Sequence, residues 1–511
     1  MTIQYLLKAM SNISRGFISV FGSRVATLVL GLLITPILVR LLGSSQYGNY
    51  AFLFSILTIT MTFANAGIFD GTRKYIAENR VESNWSEHVF AFYLRAAFVL
   101  AVSAALAYFA FSWSGLSGRF FGDEFEIYFY LLAILIILRQ ANSIARGGLM
   151  GLGLEHRSEP LSILKELLYG FLGLSLVYIG YGLVGVLVGQ IIATLIVSIL
   201  AYAILFRHIR FQSIFIRLPD EFPKRELLSF NSLSVILILL TASLYHVDIL
   251  FLRVLTGDQA TGYYKAALVV AEFLWFVPHA LQTVLLHSSS ELWANDRTEQ
   301  ITELASQTTR YNLSLVLLVA IGLAALVRDF VPLYFGSGFD AAILPLLLLL
   351  PGVLGFALAR PIFAIGQGKG QLRVLILATG TASVINFCLN ALLIPTYGTR
   401  GAAVATSIGY GSMLVLHVIA ARRVGFDPID DLRLTRITVV ALLAAGAIFG
   451  LSSAIDSSIA SLIVVPPVGF VVYAVLTLRL SVISPKETEL ITQRLPEPIR
   501  DQAKSIIQFV S

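Results

Sequence analysis

Runs of about twenty apolar residues recur along the whole of this 511-residue chain, and they set its fold before any motif is considered. The hydrocarbon core of a bilayer is ~30 Å thick and a helix rises ~1.5 Å per residue, so one crossing takes about 20 mostly apolar residues. Such runs fall at about 16–41, 46–68, 88–112, 127–147, 160–180, 183–206, 228–254, 260–285, 309–330, 341–364, 372–394, 399–420, 435–454 and 458–480. The expected fold is an all-α polytopic membrane protein of about 14 transmembrane helices. Composition agrees, since 13% of the residues are charged, against roughly a quarter in a soluble domain. Lys8 and Arg15 ahead of the first run imitate the opening of a signal peptide, but "VATLVLGLLITPILV" is long and no small-residue cleavage site follows. It is read as an uncleaved first span. The single cysteine, Cys388, lies inside an apolar run, which rules out a disulfide framework and argues against a cysteine-based metal site.

Orientation follows from lysine and arginine, which cytoplasmic loops retain. With the N-terminus inside, the inner segments hold roughly 27 of the 36 Lys and Arg, the outer loops about 5 and the membrane about 4. The net charge of +6 thus follows membrane topology, not a nucleic-acid surface. A plasma- or inner-membrane protein with both termini cytoplasmic is expected. The chain also repeats itself. "RLLGSSQYGNYAF" resembles "RVLTGDQATGYYKAA", with Gly43, Gly48 and Tyr50 falling 214 residues before Gly257, Gly262 and Tyr264. Ala145-Arg146 and Ala359-Arg360 lie at the same separation, and "YGLVGVLVG" from Tyr181 matches "YGTRGAAVA" from Tyr397 within two residues of it. Six spans separate the copies, so the halves share one orientation and form a parallel repeat about an axis normal to the membrane. The expected domains are a lobe at 1–215 with spans one to six, a lobe at 216–425 with spans seven to twelve, and 426–511 with two further spans. The tail carries Ile491, Leu495, Ile499, Ile506 and Ile507, a pattern that suits an amphipathic helix on the inner surface.

Catalytic signatures are missing. "GQGKGQ" at 366–371 lacks the spacing and the hydroxyl of a phosphate loop and reads as an inner turn, and no HExxH occurs. The longest outer loops, near 113–126 and 329–340, leave no room for an external catalytic domain. No cofactor is called for, and a carrier is favoured over an enzyme.

Ionisable residues inside spans are informative, because each costs several kcal/mol unless it meets a partner or a polar cavity. Arg24 lies in the inner half of span one and Arg95 about two turns into span three. On span four, Arg139, Asn142 and Arg146 at i, i+3 and i+7 share one face. Snorkelling to the inner headgroups is the competing reading for each arginine. Span seven carries His246 and Asp248, and span eight carries Lys265 and Glu272. Asp248 with Lys265 reads either as a structural ion pair or, with Glu272, as part of a proton- or cation-coupling site. Asn386 and Asn390 at i and i+4 suit helix-packing hydrogen bonds, and Gly185-xxx-Gly189 suits close helix contact. The first lobe thus reads as burying cations without matching anions, which favours an anionic substrate.

With these features the sequence resembles the Wzx-type polysaccharide biosynthesis proteins, oligosaccharide-lipid flippases of the multidrug/oligosaccharidyl-lipid/polysaccharide (MOP) exporter superfamily. The likeness is carried by "SRVATLVLGLLITPILVRLLGSSQYGNYAFLFSI" at 23–56, "HVDILFLRVLTGDQATGYYKAALVV" at 246–270 and "YGTRGAAVATSIG" at 397–409, and it extends over about the first 425 residues. The resemblance implies two MATE-like six-helix bundles, alternating access, and export of an undecaprenyl- or dolichyl-linked glycan from the cytoplasmic to the external leaflet. It further implies a cationic lumen for phosphates and acidic sugars, which Arg24, Arg139 and Arg146 match in kind, and an acidic residue on span seven, which Asp248 matches. The partners implied are the lipid-linked oligosaccharide, membrane lipids, and a glycan polymerase or glycosyltransferases of the same pathway, with no nucleic acid. A cation-coupled drug antiporter of the same superfamily would want an acidic or aromatic pocket, against the basic excess here. A membrane glycan polymerase or ligase would want larger outer loops.

Overall fold

Inside a bilayer a backbone N–H or C=O finds no water, so a spanning segment must satisfy its own hydrogen bonds, as a helix does. The computed structural model obeys this constraint: among the described residues all regular elements are helical, and eleven helical stretches are long and apolar enough to cross a membrane. The structure describes the backbone at 2–78, 80, 82–230, 232–493, 497 and 500, and side chains from 19 onward except at 232, 287 and 491. Leu495, Ile499, Ile506 and Ile507, and the side chains of Lys8, Arg15 and Ile491, lie outside the described residues.

Three of the eleven stretches, Ser19–Ala77, Glu155–Leu205 and Leu372–Val424, run for 59, 51 and 53 residues, each enough for two crossings. Glycine breaks each of them. Gly43 stands at φ 70°, ψ 174°, Gly182 at φ 49°, ψ −136° and Gly398 at φ 56°, ψ −129°, conformations that a Cβ would disfavour. Gly182 and Gly398 are the matched glycines of the two Tyr-Gly motifs and share nearly one conformation. Gly257, the counterpart of Gly43, is also left-handed at φ 94°.

The chain divides into two compact units, Met1–Gly262 and Tyr263–Ser511. In the first unit the two copies of the glycine motif touch. A Cβ on Gly48 would stand 2.8 Å from the carbonyl carbon of Asp258 and 2.9 Å from the Gly262 nitrogen. A Cβ on Gly262 would stand 2.8 Å from the carbonyl carbon of Ser44 and 3.2 Å from the Gly48 nitrogen. Ser44 and Gly48 precede Asp258 and Gly262 by the same 214 residues, so the contact is reciprocal. Around it Ser45 Oγ donates to Asp258 Oδ2 (2.5 Å) and Arg253 Nε to Asn49 Oδ1 (2.7 Å), while Asn49 Nδ2 donates to Glu124 Oε1 (3.1 Å). Gly185 and Gly189 give the expected close contact, Gly189 lying against the backbone of Gly173. Span seven, the helix Ser232–Thr256, belongs to this unit.

In the second unit Gly355 on the helix Ile343–Gly368 lies against Gly411 of Leu372–Val424, which draws the two backbones together. The helices Leu434–Ser453 and Ser458–Arg479 pack on Thr298–Phe335 through Leu313, Ile437, Val440, Ile448, Val465 and Tyr473. Arg310, fully buried, donates to the carboxylates of Asp431 and Glu487. Glu487 sits in the short helix Pro485–Gln493, which opens with a capping box: Ser484 N–H donates to Glu487 Oε2 (2.7 Å) and Glu487 N–H to Ser484 Oγ (3.3 Å). Pro485 at the first helical position costs no intrahelical bond there.

Two predictions arise. Gly48→Ala and Gly262→Ala each force backbone apart, so each is expected to destabilise the protein by about 1–3 kcal/mol, read as a lower melting temperature in detergent. An unchanged melting temperature would mean that the contact is loose. The second concerns the tail. Burial alone would raise the Asp431 and Glu487 carboxyls, but hydrogen bonds from Arg433 and Arg310 to Asp431, and from Ser484 to Glu487 together with the Arg310 and Arg433 charges, hold both below the ordinary carboxylate range. Depressed carboxylates contribute stability above the unfolded-state values near ~4 and lose it as pH falls through the folded-state values. Hydrogen-exchange protection of 485–493 is therefore expected to be complete at neutral pH and to fall in acid below that range. Protection that does not change would contradict the docking role.

Candidate functional site

Two helices of the first unit bring together a group of membrane-embedded charges. On Glu124–Gly151, the face shared by Arg139, Asn142 and Arg146 is turned inward: Asn142 is buried and the two arginines are half-buried. The helix Glu155–Leu176 supplies what the sequence reading left out. Its Glu159 accepts from Arg146 Nη2 at 3.1 Å, with the carboxylate nearly fully buried. One to two turns on, Lys165 and Glu166 lie within electrostatic reach of Arg139. The reading of cations without matching anions is thus corrected, because an uncompensated arginine in hydrocarbon is too costly to leave unanswered. Arg139 itself lies 5.4 Å from the ring centre of Phe54, beside Tyr50 and Tyr169, whose hydroxyls are 3.4 Å apart. Among the described residues Arg139, Lys165 and Glu166 close no ion pair, while the side-chain nitrogen of Asn142 has no hydrogen-bond partner. The arrangement is a polar cluster of three cations and two carboxylates within the apolar spans.

The other expected residues sit differently. Arg24 is exposed on its helix, although its neighbour Ser23 is buried and donates to the Glu159 carbonyl at 3.2 Å. Arg95, also exposed, donates to the carbonyls of Ile214 and Ile216 at 3.3 and 2.5 Å, and so holds the loop after span six. Asp248 is fully buried in the first unit, where Oδ1 accepts from the Ile249 N–H at 2.8 Å, and His246 Nδ1 lies 3.1 Å from Ser55 Oγ. Lys265 and Glu272 belong to the second unit and are half-buried; Glu272 ends the helix Asp258–Glu272, where the 3-10 turn Phe273–Trp275 interrupts span eight.

Asn386 and Asn390 are fully buried in the second unit. Asn390 Nδ2 donates to the Asn386 carbonyl at 2.9 Å and Asn386 Nδ2 reaches the Ala405 carbonyl at 3.5 Å, the packing bonds expected. Their Oδ1 atoms have no hydrogen-bond partner among the described residues. Farther along, an apolar cavity of about 690 Å³ opens among Leu318, Gly322, Phe330, Ile448, Pro466 and Phe470, joining Thr298–Phe335 to the two last long helices.

Sequence reasoning missed Glu159, Lys165 and Glu166. Glu159 falls one residue before the apolar run at 160–180, and Lys165-Glu166 looks like a solvated pair of opposite charges. Their signal was the position of Lys165 and Glu166 inside a run otherwise long enough to span.

Comparison with known proteins agrees with this picture. Residues 13–274, just over half of the chain, match the family described as polysaccharide biosynthesis protein. The chain belongs to that family. It is 23% identical over 510 residues, 98% of this chain and 99% of the other, to the probable low-salt glycan biosynthesis flippase Agl15 of Haloferax volcanii. The fold is similar to that of the lipid II flippase MurJ in an inward closed conformation, with a TM-score of 0.73 and 16% identity over 90% of this chain and 97% of that one. It is also similar to an inward-facing multidrug resistance MATE family transporter of the MOP superfamily, with a TM-score of 0.64 and 17% identity over 77% and 94%. The protein is therefore a multi-pass, all-helical member of the polysaccharide biosynthesis family with a MOP-type fold.

Proposed function

We propose that this family member is a flippase that carries a polyprenyl- or dolichyl-(pyro)phosphate-linked oligosaccharide from the cytoplasmic to the external leaflet by alternating access. The observation that carries the reading is the cation-rich cluster of Arg139, Arg146 and Lys165, set within spans of a family whose relatives include a glycan biosynthesis flippase. Phosphate oxygens suit these groups: arginine holds them in pairs through its planar fork and stays charged at any physiological pH, and lysine adds a point charge. Glu159 and Glu166 keep the empty site close to neutral, and an arriving anion competes with them. Arg24, exposed on span one, is a further proposed contact for the head group. An antiporter for organic cations would want the opposite charge balance, and transport in place of catalysis accords with the short outer loops.

The organisation proposed with it is two six-helix lobes at 1–215 and 216–425 followed by 426–511, about fourteen crossings in all, with both termini cytoplasmic in the plasma or inner membrane. Reporter fusions at Asn84, Ile214 and Glu489 should report cytoplasm, and fusions at Gly118 and Ser457 the outside. An external Ile214 would break the scheme.

Transport is tested in proteoliposomes by the external appearance of the lipid-linked oligosaccharide. Losing one charge-assisted contact is worth ~1.5–3 kcal/mol, or roughly a ten- to hundred-fold drop in affinity. Arg139→Ala and Arg24→Ala should impair flipping by that order, and Arg24→Lys less. Wild-type rates in both alanine variants would reject the cationic-site mechanism. Asp248 and Glu272, with Lys265, are the proposed ion-coupling residues. In the same vesicles Asp248→Asn should abolish the response to an imposed ion gradient. An unaltered response in Asp248→Asn and Glu272→Gln alike would leave both residues a packing role only.

A further inference from the structure

The segment 206–223 leaves one membrane-competent stretch, Glu155–Leu205, and enters the next, Lys224–Thr256, so both of its ends stand at one bilayer surface. The second stretch runs for 33 residues, where about 20 suffice for one crossing, and its opening helix Lys224–Ser229 therefore falls in the interface. Part of this segment is fixed to the first unit. Ile209, Phe222 and Leu227 are buried in a core with Trp85, Val89 and Tyr93. Tyr93 Oη donates to the Leu227 carbonyl at 3.0 Å, Arg210 Nε to Glu87 Oε1 at 3.0 Å, and Arg80 Nη2 to Glu226 Oε1 at 2.6 Å. The backbone is thereby held in one placement.

Other side chains of the segment do the reverse and point away from that core. Phe211, Phe215 and Leu228 are 58, 77 and 64% exposed. The two phenylalanines end the 3-10 turn Phe211–Phe215, whose Ser213 is buried instead. Arg207, Arg217 and Arg225 are exposed as well, and among the described residues none of the three forms an ion pair. On the helix Lys224–Ser229, Arg225 and Leu228 at i and i+3 share a face. Over 207–230 the chain has five basic residues and three acidic ones. With Arg210 and Glu226 each paired elsewhere, four cations stand against two carboxylates. Large apolar side chains next to unpaired arginines are costly in water and suit a membrane surface, where rings enter the acyl boundary and guanidinium groups meet phosphate.

We propose that the segment 207–230 is a docking surface for anionic phospholipid, with Phe211, Phe215 and Leu228 in the interface and Arg207, Arg217 and Arg225 on the head-group phosphates. Because the rest of the segment is bound to the first unit, docking sets how that unit sits against the bilayer. The test needs neither transport nor a known orientation. The full chain, carrying Cys388→Ser and Gln212→Cys and spin-labelled at the exposed position 212, is placed in nanodiscs of phosphatidylcholine alone or of equal parts phosphatidylcholine and phosphatidylglycerol. Collision of the label with a neutral, water-soluble nickel chelate reads its exposure to water. In the mixed discs the label should lose most of that exposure, and ~1 M salt, which shortens the Debye length to ~3 Å, should restore it. Arg207→Gln, Arg217→Gln and Arg225→Gln together should erase the difference between the two lipids, and Phe211→Ser with Phe215→Ser should leave the label exposed in both. The lipid comparison uses the docking residues unaltered, so it decides the matter even if these variants do not fold. Equal exposure in the two lipids would overturn the proposal and leave the segment open to a soluble partner. A lipid difference that survives removal of the three arginines in a folded protein would overturn it too.

Discussion

An ionised side chain moved from water into hydrocarbon costs several kcal/mol unless a partner or a polar cavity meets it, and the charged residues of this chain are arranged around that cost. Three solutions coexist. Arg310 is closed off completely: buried, and bonded to Asp431 and Glu487, it ties the helix Pro485–Gln493 to the spans. Arg146 is answered once, by Glu159, and remains partly accessible. Arg360 lies over the ring of Phe356 and donates to Gln282 and His279. The first solution builds structure, and the second leaves an arginine partly accessible. Backbone groups obey the same rule, which is why helices account for all the regular structure among the described residues.

The helical, membrane-spanning class was legible in the sequence because the apolar runs are continuous and of bilayer length. The glycine turns were legible too, since Tyr181-Gly182 and Tyr397-Gly398 repeat and both glycines adopt a left-handed conformation. The polar cluster was legible only by half. Arg139, Asn142 and Arg146 stand out because their spacing puts them on one helical face. Glu159 and Lys165-Glu166 do not, because near a span boundary a charged residue reads as the end of the span, and only the packing of one helix on the other reveals the partner. The cluster around Arg360 needed tertiary contacts outright, for His279 and Gln282 lie some eighty residues from it in sequence.

A weak sequence repeat gains physical meaning at Gly48 and Gly262. Each glycine admits the backbone of the other copy, so no side chain marks the contact and no motif search for chemistry would select it. Small residues allow helices to approach where lipid offers no hydrophobic driving force between them. The same device recurs at Gly355 and Gly411 in the second unit. The fold thus uses glycine to bring backbones together and reserves its membrane-embedded charges for a few defined places.

The charge balance of the site is the centre of this account, and it separates an anion-handling flippase from an antiporter of organic cations. Proteoliposomes containing the wild-type chain, loaded both with a lipid-linked oligosaccharide bearing a diphosphate and with a lipophilic cationic dye, put the two readings in direct competition. The account predicts that the glycolipid head group reaches the far leaflet and that the dye does not move. Movement of the dye with the glycolipid left in place would contradict it.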